Sequence, residues 1–263
     1  MDSVIKNYTY AMKTVGFYLV KKCVEKDLIH SLRDELDTAI KEDQNKYDDY
    51  EKEHRFTDIV HCMISRKNTP FSKKLFENKN LLNFVDAILG DKSIIHSFNA
   101  VRLNPFVENN ASKIHRDTPR FYQNSYPLSI QAIVCLDKFN EETGATYLLP
   151  GSHHVQVKPS DEYFYKNAYM LNAEPGDVLF FDSLVWHCAG KNNSNEPRRG
   201  ITLVYTRSFM KQQIDLPSFL DSSFIYSLSE RGKILAGMNV IPPKNLEEFF
   251  APEEKRPYKS NQG

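Results

Sequence analysis

The chain has 263 residues, 41% of them hydrophobic, which is enough for one large domain with a sizeable core. Lys plus Arg and Asp plus Glu both number 34, so the formal net charge is zero. That balance argues against a nucleic-acid partner or an anionic membrane surface.

Met1 to Val20 carries Lys6, Asn7 and Lys13 and has no signal-peptide core. No apolar run approaches the length of a membrane span. Cys23, Cys62, Cys135 and Cys188 show no Cys-x-x-Cys spacing. They read as free thiols of a reducing compartment, so a cytoplasmic location is expected.

In chain order, Gly16-Phe17-Tyr18-Leu19-Val20 reads as a short buried strand. A helix follows, with Leu28, Leu32, Leu36 and Ile40 at helical spacing. Residues 41–54 are strongly charged and read as a solvated helix end or loop. Asn80 is expected to cap a second helix that carries Leu81, Phe84, Val85, Ile88 and Leu89 and stops at Gly90. Strand patterns then take over: Ile94–Leu103, Lys113–Thr118, Leu128–Leu136, Thr146–Leu149, Val178–Phe181 and Ile201–Tyr205. In the third of these, Ile130, Ala132, Val134 and Leu136 share one face, and Gln131 takes the other. Pro150-Gly151 and Glu174-Pro175-Gly176-Asp177 are turn signals. A helix is expected around Ser223–Leu235, followed by a Pro- and charge-rich tail whose last ten residues are expected to be mobile. No repeat or linker divides the chain. The expected fold is one mainly β domain with flanking helices, in the sandwich, barrel or jelly-roll group, with residues 15–235 as its core.

The chemistry concentrates in His115-Arg116-Asp117, His187 and Arg198. His115 and Asp117, two apart on a strand, project to one face. With His187 they give two imidazoles and one carboxylate on one side of a metal, which suits a non-haem Fe(II) with open positions. An arginine eleven residues after His187 offers a planar fork for a carboxylate co-substrate. Arg199 is its rival, and strand alternation lets only one of the two point inward.

The arrangement resembles the phytanoyl-CoA dioxygenase-like branch of the Fe(II)/2-oxoglutarate oxygenases, which includes the ectoine hydroxylases. The resemblance runs from about Val15 to Leu235. It rests on His115-Arg116-Asp117, Gly144-Ala145-Thr146 through Pro150-Gly151-Ser152-His153, Pro175-Gly176-Asp177, His187 and Pro197-Arg198-Arg199. It implies a double-stranded β-helix (a jelly-roll, cupin-like fold), with His115, Asp117 and His187 as iron ligands. Fe(II), 2-oxoglutarate and O2 are the implied cofactor and co-substrates. Arg198 is the implied partner of the distal carboxylate of 2-oxoglutarate.

Related halogenases carry a small residue at the Asp117 position, so the intact carboxylate favours hydroxylation or desaturation. Many relatives place a Ser two residues after the second metal His; here that position is Ala189, and Thr146 or Thr202 is expected to supply the hydroxyl. Gln131 is expected to point toward 2-oxoglutarate. The substrate, a small molecule, is expected to meet Arg102, Arg120, Phe121 and Trp186. A hydrolytic cupin with a divalent metal and a non-catalytic sensor of the same fold are the rival readings. The first has no use for Arg198, and the second has no use for an intact triad.

Overall fold

The computed structural model describes residues 2–47, 58–66, 69–107, 110–118, 120–122 and 126–256. Among them the strands form two antiparallel sheets. β1 (Phe17–Val20), β2 (Asp58–Val60), β3 (Ile94–Leu103), β4 (Ser129–Cys135), β7 (Val178–Asp182) and β9 (Arg198–Thr206) make the larger sheet, in the order β1-β7-β4-β9-β3-β2. β5 (Thr146–Leu148), β6 (Tyr169–Met170) and β8 (His187–Ala189) make the smaller, in the order β6-β5-β8. The fold is a double-stranded β-helix with flanking helices, as expected.

Strand alternation splits the larger sheet into two faces. Phe98, Ala100, Ile130, Ala132, Val134, Phe180, Leu203 and Tyr205 face a layer of helices. Ile133, Leu179 and Phe181 face inward, toward Leu148 of the smaller sheet and Phe139 and Val185 of the connections. The helical layer consists of α1 (Asp2–Thr14), α2 (Lys26–Lys46), α3 (Pro70–Phe76) and α4 (Lys79–Leu89). Leu28, Leu32, Leu36 and Ile40 of α2 are all buried. At about 1.5–3 kcal/mol per buried aliphatic side chain, that stripe outweighs the charged remainder of the helix.

Several expectations need correction. No period marks α1 in the sequence, because among its described side chains only Tyr8 and Met12 are buried. Tyr8 meets Tyr18, Phe84 and Phe180 edge-on. The cap of α4 is Asn78, whose side chain accepts from Leu81 N, while Asn80 lies in the first turn. Lys113–Thr118 does not form a strand; it contributes a single bridge, His115 to His187. The helix expected at Ser223–Leu235 is two, Ser222–Ser227 and Glu230–Leu235, broken where Ser229 caps the second. Residues 48–54 of the charged stretch and 257–263 of the tail lie outside the described residues. No helix among the described residues is long and apolar enough to cross a membrane, and the four cysteines are free and buried.

The Pro175-Gly176-Asp177 turn has a physical reason at each position. Gly176 sits at φ +91°, and a Cβ there would lie 2.6 Å from the Val24 carbonyl oxygen. Asp177 accepts from Lys22 N through Oδ1, and from Glu174 N and Lys21 Nζ through Oδ2. The turn therefore ties the end of β1 to the start of β7.

On the outer face, Arg102 of β3 stands directly opposite Arg199 of β9. Two like charges in that position repel. Carboxylates separate them: Asp37 bonds both arginines, Asp58 takes Arg102, and Asp137 takes Arg199 and Arg33.

Two stability outcomes are expected. Gly176→Ala combines backbone strain with a clash against a carbonyl and should destabilise by about 2–3 kcal/mol in denaturant melts. Arg102→Met deprives the buried Asp58 of its guanidinium and should cost about 2–3 kcal/mol by the same measurement. Neither change should alter metal affinity, measured by titration of the folded protein.

Candidate active site

Two backbone hydrogen bonds, His115 N to His187 O and His187 N to His115 O, both 3.0 Å, set the two histidines opposite each other. Residues opposite each other on neighbouring strands share a face, and the imidazole centroids are 4.3 Å apart. Asp117, two residues on, returns to the same side. Its Oδ1 lies 3.5 Å from His115 Nε2, and its Oδ2 lies 3.3 Å from His187 Nε2. One donor atom from each residue lies within 4.8 Å of the others, close enough to share a metal ion.

The histidine tautomers follow from the neighbours. His115 Nδ1 lies 2.7 Å from Lys113 O, and His187 Nδ1 lies 2.9 Å from Val185 O. A carbonyl only accepts, so each Nδ1 carries the proton and each Nε2 presents a lone pair to the centre. Asp117 is held by Gln131, whose Nε2 donates to Oδ2.

Burial is the largest influence on all three groups. It pulls His187 below the ordinary histidine range, with Asp117 offsetting only part. It also pulls on His115, but the hydrogen bond and charge of Asp117 outweigh it and the net shift is upward. For Asp117 burial pushes upward, yet His187, His115 and Gln131 together hold the carboxyl below its usual value. The acid is thus ionised and at least one imidazole is neutral, the protonation that a divalent cation requires.

Further along the inner face lies Arg198. Pairing of β4 with β9 places Arg198, Gly200, Thr202 and Val204 on the same side as Gln131, Ile133 and Cys135. Arg198 is 7% exposed. Its Nη1 donates to Gly144 O at 2.8 Å, and its guanidinium lies 4.2 Å from the centre of the Phe139 ring. Its Nε is buried with no hydrogen-bond partner among the described residues. Burial brings its pKa down to about 10, with Cys135 and Asp137 pulling weakly the other way. A buried guanidinium without a carboxylate against it is the complement of an anion. Gly144 is a glycine because it sits at φ +79° with its Cβ position 2.7 Å from Gly190 O.

In the smaller sheet, Thr146 pairs with Ala189 and Leu148 with His187. The Thr146 side chain therefore shares the inner face with the triad and lies directly across from the position where relatives carry serine.

Other expected residues are placed elsewhere. Arg102 is on the outer face, bound to Asp58 and Asp37, and does not reach the triad. Trp186 alternates with His187 and packs outward, against Ile114, Leu149, Phe164 and Cys188. Arg120 is exposed on the loop after the triad. Phe121 stays near, stacked at 5.3 Å from the Arg116 guanidinium.

Gln131 points inward as expected, and its partner among the described residues is Asp117. Sequence reasoning gives no part to Arg116. Facing away from the metal centre, it lies over Trp186 at 4.3 Å and donates to the carbonyls of Ser152, Val155 and Gln156. Ser152 in turn accepts from Trp186 N. The Pro-Gly-Ser turn is thereby fastened both to the His115–Asp117 segment and to the segment that leads into His187.

The model of the Phytanoyl-CoA dioxygenase (PhyH) family matches residues 12–200. A protein of Mycobacterium tuberculosis, Rv1501, whose name states no activity, is 30% identical over 260 residues, covering 96% of this chain and 94% of its own. Dioxygenase cdmD of Talaromyces verruculosus is 28% identical over 217 residues, 72% of this chain and 70% of its own. Among solved structures, HygX from Streptomyces hygroscopicus, with nickel, 2-oxoglutarate and hygromycin B bound, superposes with a TM-score of 0.60. It is 16% identical, over 79% of this chain and 89% of its own. The α-ketoglutarate-dependent epimerase SnoN superposes at 0.58 with 16% identity, over 78% of this chain and 83% of its own. These two likenesses share the fold. The chain belongs to the phytanoyl-CoA dioxygenase family and is an Fe(II)- and 2-oxoglutarate-dependent dioxygenase.

Proposed function

We propose that this dioxygenase hydroxylates an unactivated C–H bond of a small molecule, with His115, Asp117 and His187 holding the iron and Arg198 holding the distal carboxylate of 2-oxoglutarate. The observation that carries the reading is Arg198: a buried cation whose Nε has no partner among the described residues, on the same inner face as the residue that orients Asp117. When bound, Fe(II) would activate O2, the oxidant, with 2-oxoglutarate as the two-electron reductant that leaves as succinate and CO2 and the substrate C–H bond giving the other two electrons.

The chain's own residues supply the rest. Val185 O and Lys113 O fix the imidazoles with Nε2 toward the metal. Gln131 holds one oxygen of Asp117 and so orients the carboxylate. Thr146 supplies the hydroxyl that Ala189 lacks. Phe139, Leu148 and Phe181 are buried on the same inner side and keep it apolar. A retained carboxylate ligand favours oxygen transfer over halide transfer. Phe121 and Arg120 border the substrate's approach, whereas Arg102 and Trp186 take no part. HygX and SnoN, whose structures were solved with hygromycin B and with nogalamycin RO, favour a small-molecule substrate. The hydrolytic alternative leaves Arg198 without a purpose.

Three outcomes test this. Under anaerobic conditions, Fe(II) plus 2-oxoglutarate should give a weak visible charge-transfer band. Asp117→Ala and His187→Ala should abolish it, and a band that survives both refutes the ligand assignment. Arg198→Met should weaken 2-oxoglutarate binding by about a hundredfold, in line with loss of a buried charged pair. Arg199→Met should leave it within about twofold while lowering stability by roughly 1 kcal/mol. Thr146→Val should raise the KM for 2-oxoglutarate by about tenfold, the value of one hydrogen bond to a charged group, and Ala189→Ser should restore most of it.

A further inference from the structure

Arg116 lies between His115 and Asp117 in sequence and turns away from both. Its Nη2 donates to Ser152 O at 3.0 Å and to Val155 O, and its Nη1 donates to Gln156 O at 3.3 Å. Its guanidinium carbon lies 4.3 Å from the centre of the Trp186 ring and 5.3 Å from that of Phe121. Trp186 precedes His187, and Phe121 belongs to the loop after Asp117. One side chain thus touches the Ser152–Gln156 turn, the residue that leads into His187 and the loop beyond the triplet.

The turn is itself anchored. Gly151 N donates to Val15 O at 2.8 Å, and Ser152 Oγ accepts from Trp186 N at 2.9 Å. Ser152 therefore meets Arg116 through its carbonyl and the approach to His187 through its hydroxyl. The reciprocal bonds between His115 and His187 set the distance between the two ligand segments. Rotation about that pair would still carry Asp117 toward or away from His187, whose Nε2 lies 3.3 Å from Asp117 Oδ2. Thr118 N, bonded to Ser183 O at 3.2 Å, restrains the chain just after Asp117, and Arg116 restrains the opposite side of the triplet. Arginine suits this place by its shape. A planar guanidinium stacks on a ring while its edge donates to several carbonyls, whereas a lysine ammonium is a point charge without a planar fork.

We propose, resting on the ligand assignment above, that Arg116 is a positioning residue for the metal centre. It holds the His115–Asp117 segment at the orientation in which the carboxylate and both imidazoles reach one ion, and it does so without touching the metal or the co-substrate. Its planar fork is the working part, because the carbonyls and the Trp186 ring are met from one group at the same time.

The test titrates the full chain with Co(II) under anaerobic conditions. Visible absorption then reads affinity and ligand geometry together. Hydrogen exchange at the His115 and His187 amides of the metal-free chain is measured beside it. Arg116→Met should weaken Co(II) binding by about tenfold, the low end for loss of a residue that orients metal ligands. It should also alter the shape of the visible bands and speed exchange at both amides. Arg116→Lys keeps the charge without the fork and should still lose at least about threefold. Arg66→Met is the control for stability alone. It breaks the paired contacts of Arg66 with Asp43 of α2, at 2.8 and 2.7 Å. It should lower thermal stability, leave Co(II) affinity within about twofold and leave the bands unchanged, as expected of an independent site. The proposal is overturned by unchanged affinity and bands in Arg116→Met, by wild-type behaviour of Arg116→Lys, or by an equal loss in Arg66→Met. If Arg116→Met does not fold, Arg116→Lys set against Arg66→Met still decides. Failure of the ligand assignment has a separate signature: Asp117→Ala would then bind Co(II) as the wild type does, which overturns both readings.

Discussion

The reciprocal pair of backbone hydrogen bonds between His115 and His187 is the constraint from which the site follows. Among the described residues, it joins a segment with no other strand pairing to the edge strand β8 of the smaller sheet. Once those residues are opposite each other, alternation decides the rest. Asp117 returns to the inner side, Arg116 and Trp186 go to the outer, and Thr146 and Leu148 line up with Ala189 and His187. Two such bonds contribute only about 1–3 kcal/mol together. They do not by themselves overcome the cost of gathering three titratable groups in a partly buried place. Other ties share the load: Thr118 N to Ser183 O, Ser183 N to Ser129 O, and Gln131 to Asp117. The loop bearing Asp117 is thus fastened to the end of β4 on one side and to the end of β7 on the other.

Much of this was readable in the chain. Ile94–Leu103 is the strand that alternation announced, and Gln131 faces inward because Ile130 and Ala132 face out. The spacing of His115 and Asp117 announced that they share one side of the chain, and the structure brings both to His187. Alternation lets only one of Arg198 and Arg199 point inward, the eleven-residue offset from His187 favours Arg198 by resemblance, and the structure buries Arg198 on the inner face. What failed was information carried by distant residues. Nothing near Arg102 distinguishes a guanidinium that waits for a substrate from one that meets Asp58, 44 residues earlier in the chain. Trp186 sits beside a metal ligand in sequence, and proximity suggested a role that alternation denies. Asn78 and Asn80 are equally good caps by type, and the choice is made by where α4 docks. α1 is held by two buried residues and by ring contacts with three other elements, none of which leaves a local period.

The two adjacent arginines show how one backbone alternation turns identical side chains to opposite purposes. Arg199 is saturated: Asp37 and Asp137 take its nitrogens, and Asp37 also bonds Arg102, the like charge across the strand pair. Nothing remains for a ligand to gain from it. Arg198 has a carbonyl, an aromatic face and an unpartnered Nε. A carbonyl and a ring compensate a desolvated cation only in part, the ring by about 1–2 kcal/mol. The folded chain therefore carries an unfavourable electrostatic term in the absence of an anion, and a dicarboxylate that reaches the site removes it. Because the shift still leaves the guanidinium protonated at neutral pH, the charge is kept and its attraction is strengthened by the low dielectric around it. At Ala189 the cross-strand neighbour Thr146 brings a hydroxyl to that layer of the barrel, the group that the proposed function puts in place of the serine of relatives.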